Sequence, residues 1–209
     1  MTATRANPPK ISKQQLLLLL LGLDGSTVSN EGIGGITRLQ KLLFLLWKEG
    51  GIQEIESGFE FKPYKAGPYS RKLYDELELL ENLGIIQSEA QGEATEAEAA
   101  ELEELSFEQL MGEDAHPFQS VTTRAEATTA DTFEERRFRL TPKGLDAAKS
   151  LAANPTYKPF VDGIRKIKSK FANYSLQDLL YHVYTKYDDE GWTSESEIRD
   201  KILRKGRLN

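Results

Sequence analysis

The chain has 209 residues, a formal net charge of −6 and no cysteine, which excludes disulfide bridges and thiolate metal sites. Hydrophobic residues make up 39% and charged residues 29%, a mixture that indicates a folded core diluted by a polar segment. The absence of thiols fits a reducing compartment, and we expect a cytoplasmic protein.

The first predicted element is a helix at about 11–23, after a tail over residues 1–10 that we expect to be disordered. Residues 16–21 are six consecutive leucines. This apolar run is shorter than the roughly 20 residues that a membrane span needs. Asp24 and Gly25 follow it without the cleavage pattern of a signal peptide. The run therefore predicts a buried core helix, and we expect no membrane association.

Glycine-rich residues 32–35 predict a flexible turn, and leucines at helical spacing predict a second helix over 37–48. Residues 59–64 are expected to form a short strand or an extended loop. A third helix begins at Pro68 or Ser70 and ends at Gly84. Its predicted apolar stripe consists of Leu73, Leu77, Leu80 and Leu83.

A strand opened by Ile85 and Ile86 is predicted to pair with a return strand over residues 136–140. Thr141 is the expected cap of a helix that runs from Pro142 to about residue 152. Further helices are predicted at about 160–174, 175–187 and 194–205.

Residues 88–135 separate the two predicted strands and differ from the rest of the chain in charge. They contain fourteen acidic residues and one basic residue, which leaves 19 acidic and 26 basic residues elsewhere. The segment thus carries −13 and the remainder +7. Few large apolar residues offset its ordering entropy, so a disordered insertion is expected, with a transient helix over 96–111 as an alternative. The opposite charges also raise the hypothesis that this insertion masks a basic surface.

Two phrases, LYDELELLENLGII at 73–86 and FRLTPKGLDAA at 138–148, resemble winged-helix regulators. In these proteins a helix ending in "LENLGLI" precedes a hairpin whose return strand ends in "Y-x-LT-x-KG". The resemblance implies a mainly α fold with a small β-hairpin: a winged helix-turn-helix over 11–152, with the acidic insertion in its wing, and a C-terminal helical region over 153–209. The residues that match the return strand are Phe138, Leu140, Thr141, Lys143 and Gly144.

A second resemblance is to the SocA-like (Panacea) antitoxin-associated domains, through the phrase LQKLLF and the pattern Y-x-x-GP-x-S/V-x-x-x-Y. It implies binding to a protein partner in a defence or toxin–antitoxin setting. The acidic insertion and the C-terminal helices depart from that family. The matching residues are Leu39 to Phe44, Tyr64, Gly67, Pro68 and Tyr74.

A winged helix inserts one helix into the major groove and lets the wing touch the backbone. The candidate helix here begins with a basic turn, but its later positions Asp75, Glu76, Glu78 and Glu81 are acidic and predicted to be exposed. The first prediction is a non-enzymatic DNA-binding protein, either a transcriptional regulator or a toxin–antitoxin-associated factor. Its expected contacts with double-stranded DNA are Lys62, Lys65, Tyr69, Ser70, Arg71, Lys72, Arg136, Arg137 and Arg139.

The alternative is a protein-interaction module, antitoxin-like or a complex subunit, that uses the same scaffold without binding DNA. Trp47, Tyr187 and Trp192 are then the expected exposed anchors, and the C-terminal helices could form a homodimer. A third interpretation is that the basic residues are ordinary surface charge.

Nothing in the sequence indicates catalysis. His116 and His182 show no metal-ligand spacing, and His182 is expected in the core or an interface. The GIGG stretch lacks a phosphate-binding pattern, and the acidic residues 188–190 are expected in a solvated turn. No catalytic residue, metal or cofactor is therefore predicted.

Overall fold

The computed structural model describes residues 10–24, 27–90, 136–196 and 198–205. Within these ranges the chain is mainly helical with small antiparallel sheets, and it contains no helix long and apolar enough to cross a bilayer. The tail and most of the acidic insertion lie outside the described residues, so their disorder stays a prediction.

The helices, in chain order, are α1 (Lys13–Gly22), α2 (Ile36–Lys48), α3 (Glu54–Phe59), α4 (Arg71–Asn82), α5 (Pro142–Ala153), α6 (Lys158–Phe171), α7 (Leu176–Tyr187) and α8 (Arg199–Lys205). The strands are β1 (Leu23–Asp24), β2 (Thr27–Val28), β3 (Ile33–Gly34), β4 (Ile86–Ala90) and β5 (Arg136–Leu140).

The leucine run forms the buried core helix that the sequence predicts. All six leucines of α1 are buried, because a helix that is apolar on every side must be surrounded by other elements. Ser12 and Gln15 form a capping box, which fixes the start of the helix at Lys13.

The three-stranded sheet has the order β3-β5-β4, and all neighbouring strands are antiparallel. Ile86 pairs with Leu140, which confirms the predicted pairing of β4 with β5. The flexible turn predicted at residues 32–35 is wrong, because Ile33 pairs with Phe138. Gly32 has a φ of +71°, and a Cβ there would lie 2.2 Å from the Phe138 carbonyl oxygen, so glycine allows this close approach.

The predicted strand over 59–64 is wrong at its first residue, since Phe59 ends α3. Ile55 and Phe59 are one helical turn apart, and both are buried in the core. The C-terminal helix also begins later than predicted, at Arg199, because residues 191–195 form successive turns.

The core is continuous from α1 to α8. The same apolar cluster contains Leu19 of α1, Leu43 of α2, Ile164 of α6, Leu180 of α7 and Ile202 of α8. The helix α2 runs through the middle of this cluster, so its polar residues are the ones that the fold buries. This helix carries two polar sites, one in its middle and one at its C-terminal end.

Candidate functional site

A tight hairpin over residues 62–69 lies immediately before α4. Lys62 and Tyr69 exchange two backbone hydrogen bonds of 2.8 and 2.9 Å, and Tyr64 and Gly67 exchange two more of 2.8 and 3.1 Å. Gly67 has a φ of +81°, and a Cβ added there would lie 2.8 Å from the ring of Tyr184. Both the backbone conformation and the contact with α7 therefore require glycine at this turn.

Two adjacent polar residues of α2 hold the hairpin. Lys41 Nζ donates to the Pro68 carbonyl at 2.8 Å, and Gln40 Oε1 accepts from the Ser70 backbone N–H at 2.8 Å. Gln40 and Lys41 are each 2% exposed. Desolvation by burial lowers the pKa of Lys41 to about 7. Because these contacts satisfy buried polar groups, they fix the hairpin against α2.

A small cleft lies between α2 and the hairpin, with room for about one water-sized group. The Tyr64 and Tyr69 rings lie 4.9 Å apart at its wall. Gln40 Nε2 is buried and has no hydrogen-bond partner among the described residues. The residues that line the cleft are Thr37, Gln40, Lys41, Tyr64, Ala66, Gly67 and Tyr69.

Four of the predicted DNA contacts lie in this hairpin or directly after it: Lys62, Lys65, Tyr69 and Ser70. Ser70 has no exposed surface to offer a DNA strand. Its hydroxyl donates to the Phe59 carbonyl and accepts from the Leu73 N–H at 3.3 Å, as the N-cap of α4. Lys65 and Tyr69 are half-buried, and burial raises the pKa of Tyr69. Ser70 therefore serves the fold.

The basic residues at the start of α4, of which Arg71 is exposed and Lys72 half-buried, have acidic neighbours. Arg71 Nε lies 3.8 Å from the Asp75 carboxylate, and Lys72 forms a salt bridge with Glu60. Lys62 is exposed on the hairpin. The positive charge available to a phosphate backbone at this end of α4 is thus partly neutralised.

The three arginines of β5 that were predicted to contact DNA lie in the three-stranded sheet and not in the 62–69 hairpin. All three are half-buried. Arg139 lies 3.6 Å from the Glu89 carboxylate on β4, and Arg137 Nη1 donates to the Glu31 carbonyl at 3.3 Å. Arg137 and Arg139 are two residues apart and share one face of β5, and both contact polar groups of the chain.

The solvent-facing side of α4, here called the α4 outer face, consists of Asp75, Glu78, Leu79 and Leu83. Asp75 and Glu78 are exposed, while Leu79 is 44% and Leu83 54% exposed. No other large hydrophobic residue in the described part of the chain is classed as exposed. The prediction that Leu83 faces the core is wrong, because α4 ends at Asn82 and Leu83 is its C-cap.

Glu76 does not belong to this face. It is 6% exposed, which contradicts its predicted exposure, and it contacts Lys13 and Gln14 of α1. Its carboxylate thus links α4 to the first helix. The α4 outer face therefore has two exposed carboxylates beside two exposed leucines.

A second polar cluster, here called the Glu49 cluster, lies at the C-terminal end of α2. The Glu49 carboxylate contacts His182 Nε2 at 2.7 Å, the Tyr187 hydroxyl at 3.0 Å, Lys170 at 2.6 Å and Lys186 at 3.0 Å. Burial acts to raise the pKa of Glu49, but the contacts with His182, Lys170, Lys186 and Tyr187 outweigh it and lower the value to about 2. This carboxylate fastens α6 and α7 to α2.

The aromatic residues predicted as exposed anchors lie mostly inside the protein. Trp47 is 9% and Tyr187 4% exposed, so that prediction is wrong for both, while Trp192 is half-buried. Their rings surround Phe44 at centroid distances of 5.2 to 5.8 Å. Aromatic side chains contribute large apolar areas, and here α2 and α7 use them for packing. Lys48 Nζ lies 4.2 Å from the centre of a Trp47 ring.

Sequence reasoning missed the roles of Gln40, Lys41 and Glu49. The available signal was a pair of polar residues in the middle of an apolar helix. The predicted acidic turn is engaged in ion pairs, since Asp188 contacts Arg199 and Glu190 contacts Lys48. Among the residues that the structure covers, no three His, Asp or Glu side chains are grouped as metal ligands.

The chain matches no protein-family model, no curated protein and no solved structure.

Proposed function

We propose that the chain is a cytoplasmic, non-enzymatic protein-interaction module on a winged-helix scaffold, and that the α4 outer face binds its partner. The observation that carries this proposal is the exposure of Leu79 and Leu83 beside Asp75 and Glu78. Apolar side chains rimmed by charged ones are typical of protein-binding surfaces.

The order of elements supports the winged-helix scaffold. The helices α1, α2 and α4 precede a β4–β5 hairpin, and the short strand β3 joins that hairpin at β5. In such a scaffold α4 has the position of the helix that faces a ligand. The SocA-like phrases also support a protein partner, because they lie in α2 and in the hairpin that positions α4.

Electrostatics favours a protein over DNA at this face. Asp75 and Glu78 would lie close to phosphates if α4 entered a major groove, and like charges repel. A partner with basic residues around an apolar centre would satisfy both the carboxylates and the leucines. Burial of two leucines contributes about 3 kcal/mol to binding, which suffices for a contact within a larger interface.

The second candidate is a DNA-binding regulator, and a specific observation favours it. Lys62 and Arg71 are exposed at the N-terminal end of α4, where the helix dipole attracts phosphate. The arginines of β5 would then contact the backbone from the wing. On this hypothesis the α4 outer face stays in solvent.

A four-way comparison of purified chains separates the two candidates. The chains are the wild type, a Leu79→Lys/Leu83→Lys variant, an Arg71→Ala variant and an Arg204→Glu control at an exposed position of α8. Each is used to capture proteins from the source cells and is titrated with random duplex DNA at two salt concentrations. Sedimentation of each chain measures self-association.

The proposal expects one protein, or a second copy of the chain, to be bound by the wild type, by Arg71→Ala and by the control but lost in the leucine variant. Isothermal titration with that purified partner must reproduce the loss. If the leucine variant retains every partner, the α4 outer face is not the binding surface. Salt-sensitive DNA binding that Arg71→Ala abolishes would instead establish the second candidate.

A further inference from the structure

The cleft between α2 and the hairpin is lined by two residues whose hydrogen-bond donors are buried, Gln40 and Lys41, and it is separate from the α4 outer face. The Gln40 amide is oriented by the Ser70 N–H, which occupies Oε1 at 2.8 Å. Its other end, Nε2, is therefore fixed as a donor. It is buried and has no hydrogen-bond partner in the part of the chain that the structure describes. A buried donor without a partner costs about 1–3 kcal/mol, so a ligand that accepts from it gains that energy.

The Tyr74 hydroxyl lies near the side-chain amide of Gln40 but does not occupy both of its N–H donors. Burial raises the pKa of Tyr74, and an interaction with the Gln40 side chain opposes that rise. An amide nitrogen also carries two protons, so a contact with Tyr74 would leave one for another acceptor.

Lys41 adds a second hydrogen-bond donor to the same cleft. Its amine has three donors, and the contact made within the described residues is the 2.8 Å bond to the Pro68 carbonyl. Burial lowers the pKa of Lys41 to about 7, because the ammonium group has lost its hydration. An anion in the cleft would replace that hydration.

The remaining lining fits a small anion with an apolar flank. None of the lining residues is acidic, and the tyrosine rings and Ala66 form the wall. The cleft has room for about one water-sized group, so an oxygen of the ligand enters it while the rest lies along the rings.

We propose that this cleft binds a carboxylate group, with Gln40 Nε2 and Lys41 Nζ donating to the oxygen that enters it and Tyr64 and Tyr69 flanking the adjacent carbons. The carboxylate is either that of a small free acid or the C-terminus of a peptide, and both present the same chemistry. This inference goes beyond the proposed function, because it involves neither Leu79 nor Leu83.

The test follows the side-chain amide of Gln40 by NMR in the full ¹⁵N-labelled chain. Sodium acetate is titrated against sodium chloride at matched ionic strength, followed by an acetylated dipeptide with a free C-terminus and the same dipeptide as its C-terminal amide. We expect acetate to shift the Gln40 signal with a dissociation constant on the order of millimolar. Tighter binding of the dipeptide acid than of acetate identifies a peptide C-terminus, and equal binding identifies a small acid.

Two variants tie the effect to the cleft. Gln40→Glu keeps an oxygen for the Ser70 N–H but replaces the donor with a negative charge, so acetate binding should be lost. Ala66→Val enlarges a residue of the cleft wall and changes neither donor group, and it should weaken binding at least tenfold. Signals of Lys41 or Tyr69 report binding in the Gln40 variant. The proposal is overturned if wild-type Gln40 shows no shift, or if the dipeptide amide and chloride shift it as acetate does.

Discussion

The middle and the C-terminal end of α2 each carry an ionisable side chain that is largely buried, and the two side chains differ in how many partners they have. At the end, Glu49 contacts three basic residues and a tyrosine hydroxyl. In the middle, Lys41 donates to the Pro68 carbonyl, and the neighbouring amide of Gln40 keeps an unused donor within the described residues. A cluster in which every polar group has a partner is what a structural contact requires, whereas a buried donor without a partner needs an explanation, and a ligand would supply one.

The largest expected effect concerns the hairpin over the cleft. Gly67→Ala should destabilise the protein by roughly 3 kcal/mol, because alanine is strained at a positive φ and its Cβ would lie 2.8 Å from the Tyr184 ring. Urea denaturation of both chains measures the loss of unfolding free energy. Acetate binding should fall in parallel, since the displaced hairpin carries Tyr64 and Tyr69.

Gly191→Ala is the matched control for this substitution. Gly191 has nearly the same conformation, with a φ of +80°, but a Cβ there meets nothing within 4 Å. It should cost about 1 kcal/mol, the backbone strain alone. Equal losses in the two variants would show that contact with Tyr184 does not hold the hairpin.

The second prediction addresses the Glu49 cluster. Glu49→Gln keeps the shape of the side chain but removes the charge that Lys170, Lys186 and His182 contact, and it should cost roughly 2 kcal/mol at neutral pH. The folded pKa of Glu49 is lowered to about 2 from 4.5. The stabilisation is therefore complete above the unfolded value and lost as the pH falls toward the folded one.

Denaturation across this acidic range, compared between wild type and variant, measures the effect. The variant should be less stable at neutral pH, and the difference should shrink as the pH falls toward about 2. Glu190→Gln is the control, because Glu190 forms an ion pair with Lys48 but its side chain is 48% exposed. A pH-independent difference at Glu49 would mean that shape, not charge, holds α6 and α7.

The elements that local pattern determines could be predicted from the sequence. The leucine run, the β4–β5 pairing and the Thr141 cap all have signals within a few residues. The winged-helix arrangement itself stays a proposal. The short strand β3 escaped prediction, because its pairing with β5 joins residues about a hundred positions apart and its glycines indicate a turn.

The candidate sites were harder to predict for the same reason. Lys41 lies outside the helical spacing of the α2 leucines, and its burial depends on the hairpin that covers it. Ser70 was expected to contact DNA, and the Phe59 carbonyl takes its hydroxyl instead. Trp47 was expected outside, yet α7 and the loop after it bring Tyr187 and Trp192 to its side of the core.

The smallest expected effect is the most informative about the cleft. Lys41→Met removes a buried amine while keeping an unbranched side chain, and it should leave the protein as stable as the wild type, or about 1 kcal/mol more stable, near pH 6. Below the folded pKa of about 7 the wild type carries a buried cation, whose cost is then greatest. As the pH rises from about 7 toward 10.5, the folded lysine is neutral while the unfolded one still binds a proton, so the wild type gains stability relative to the variant.

Urea denaturation of both chains near pH 6 and near pH 9 measures this crossover. Lys158→Met is the control, because Lys158 is 72% exposed and its removal should change stability little at either pH. If Lys41→Met were instead destabilised by the same amount at both values, the bond to Pro68 would be the main role of the lysine. Lys41 would then belong with Glu49 as a structural residue, and the cleft would keep Gln40 as its donor.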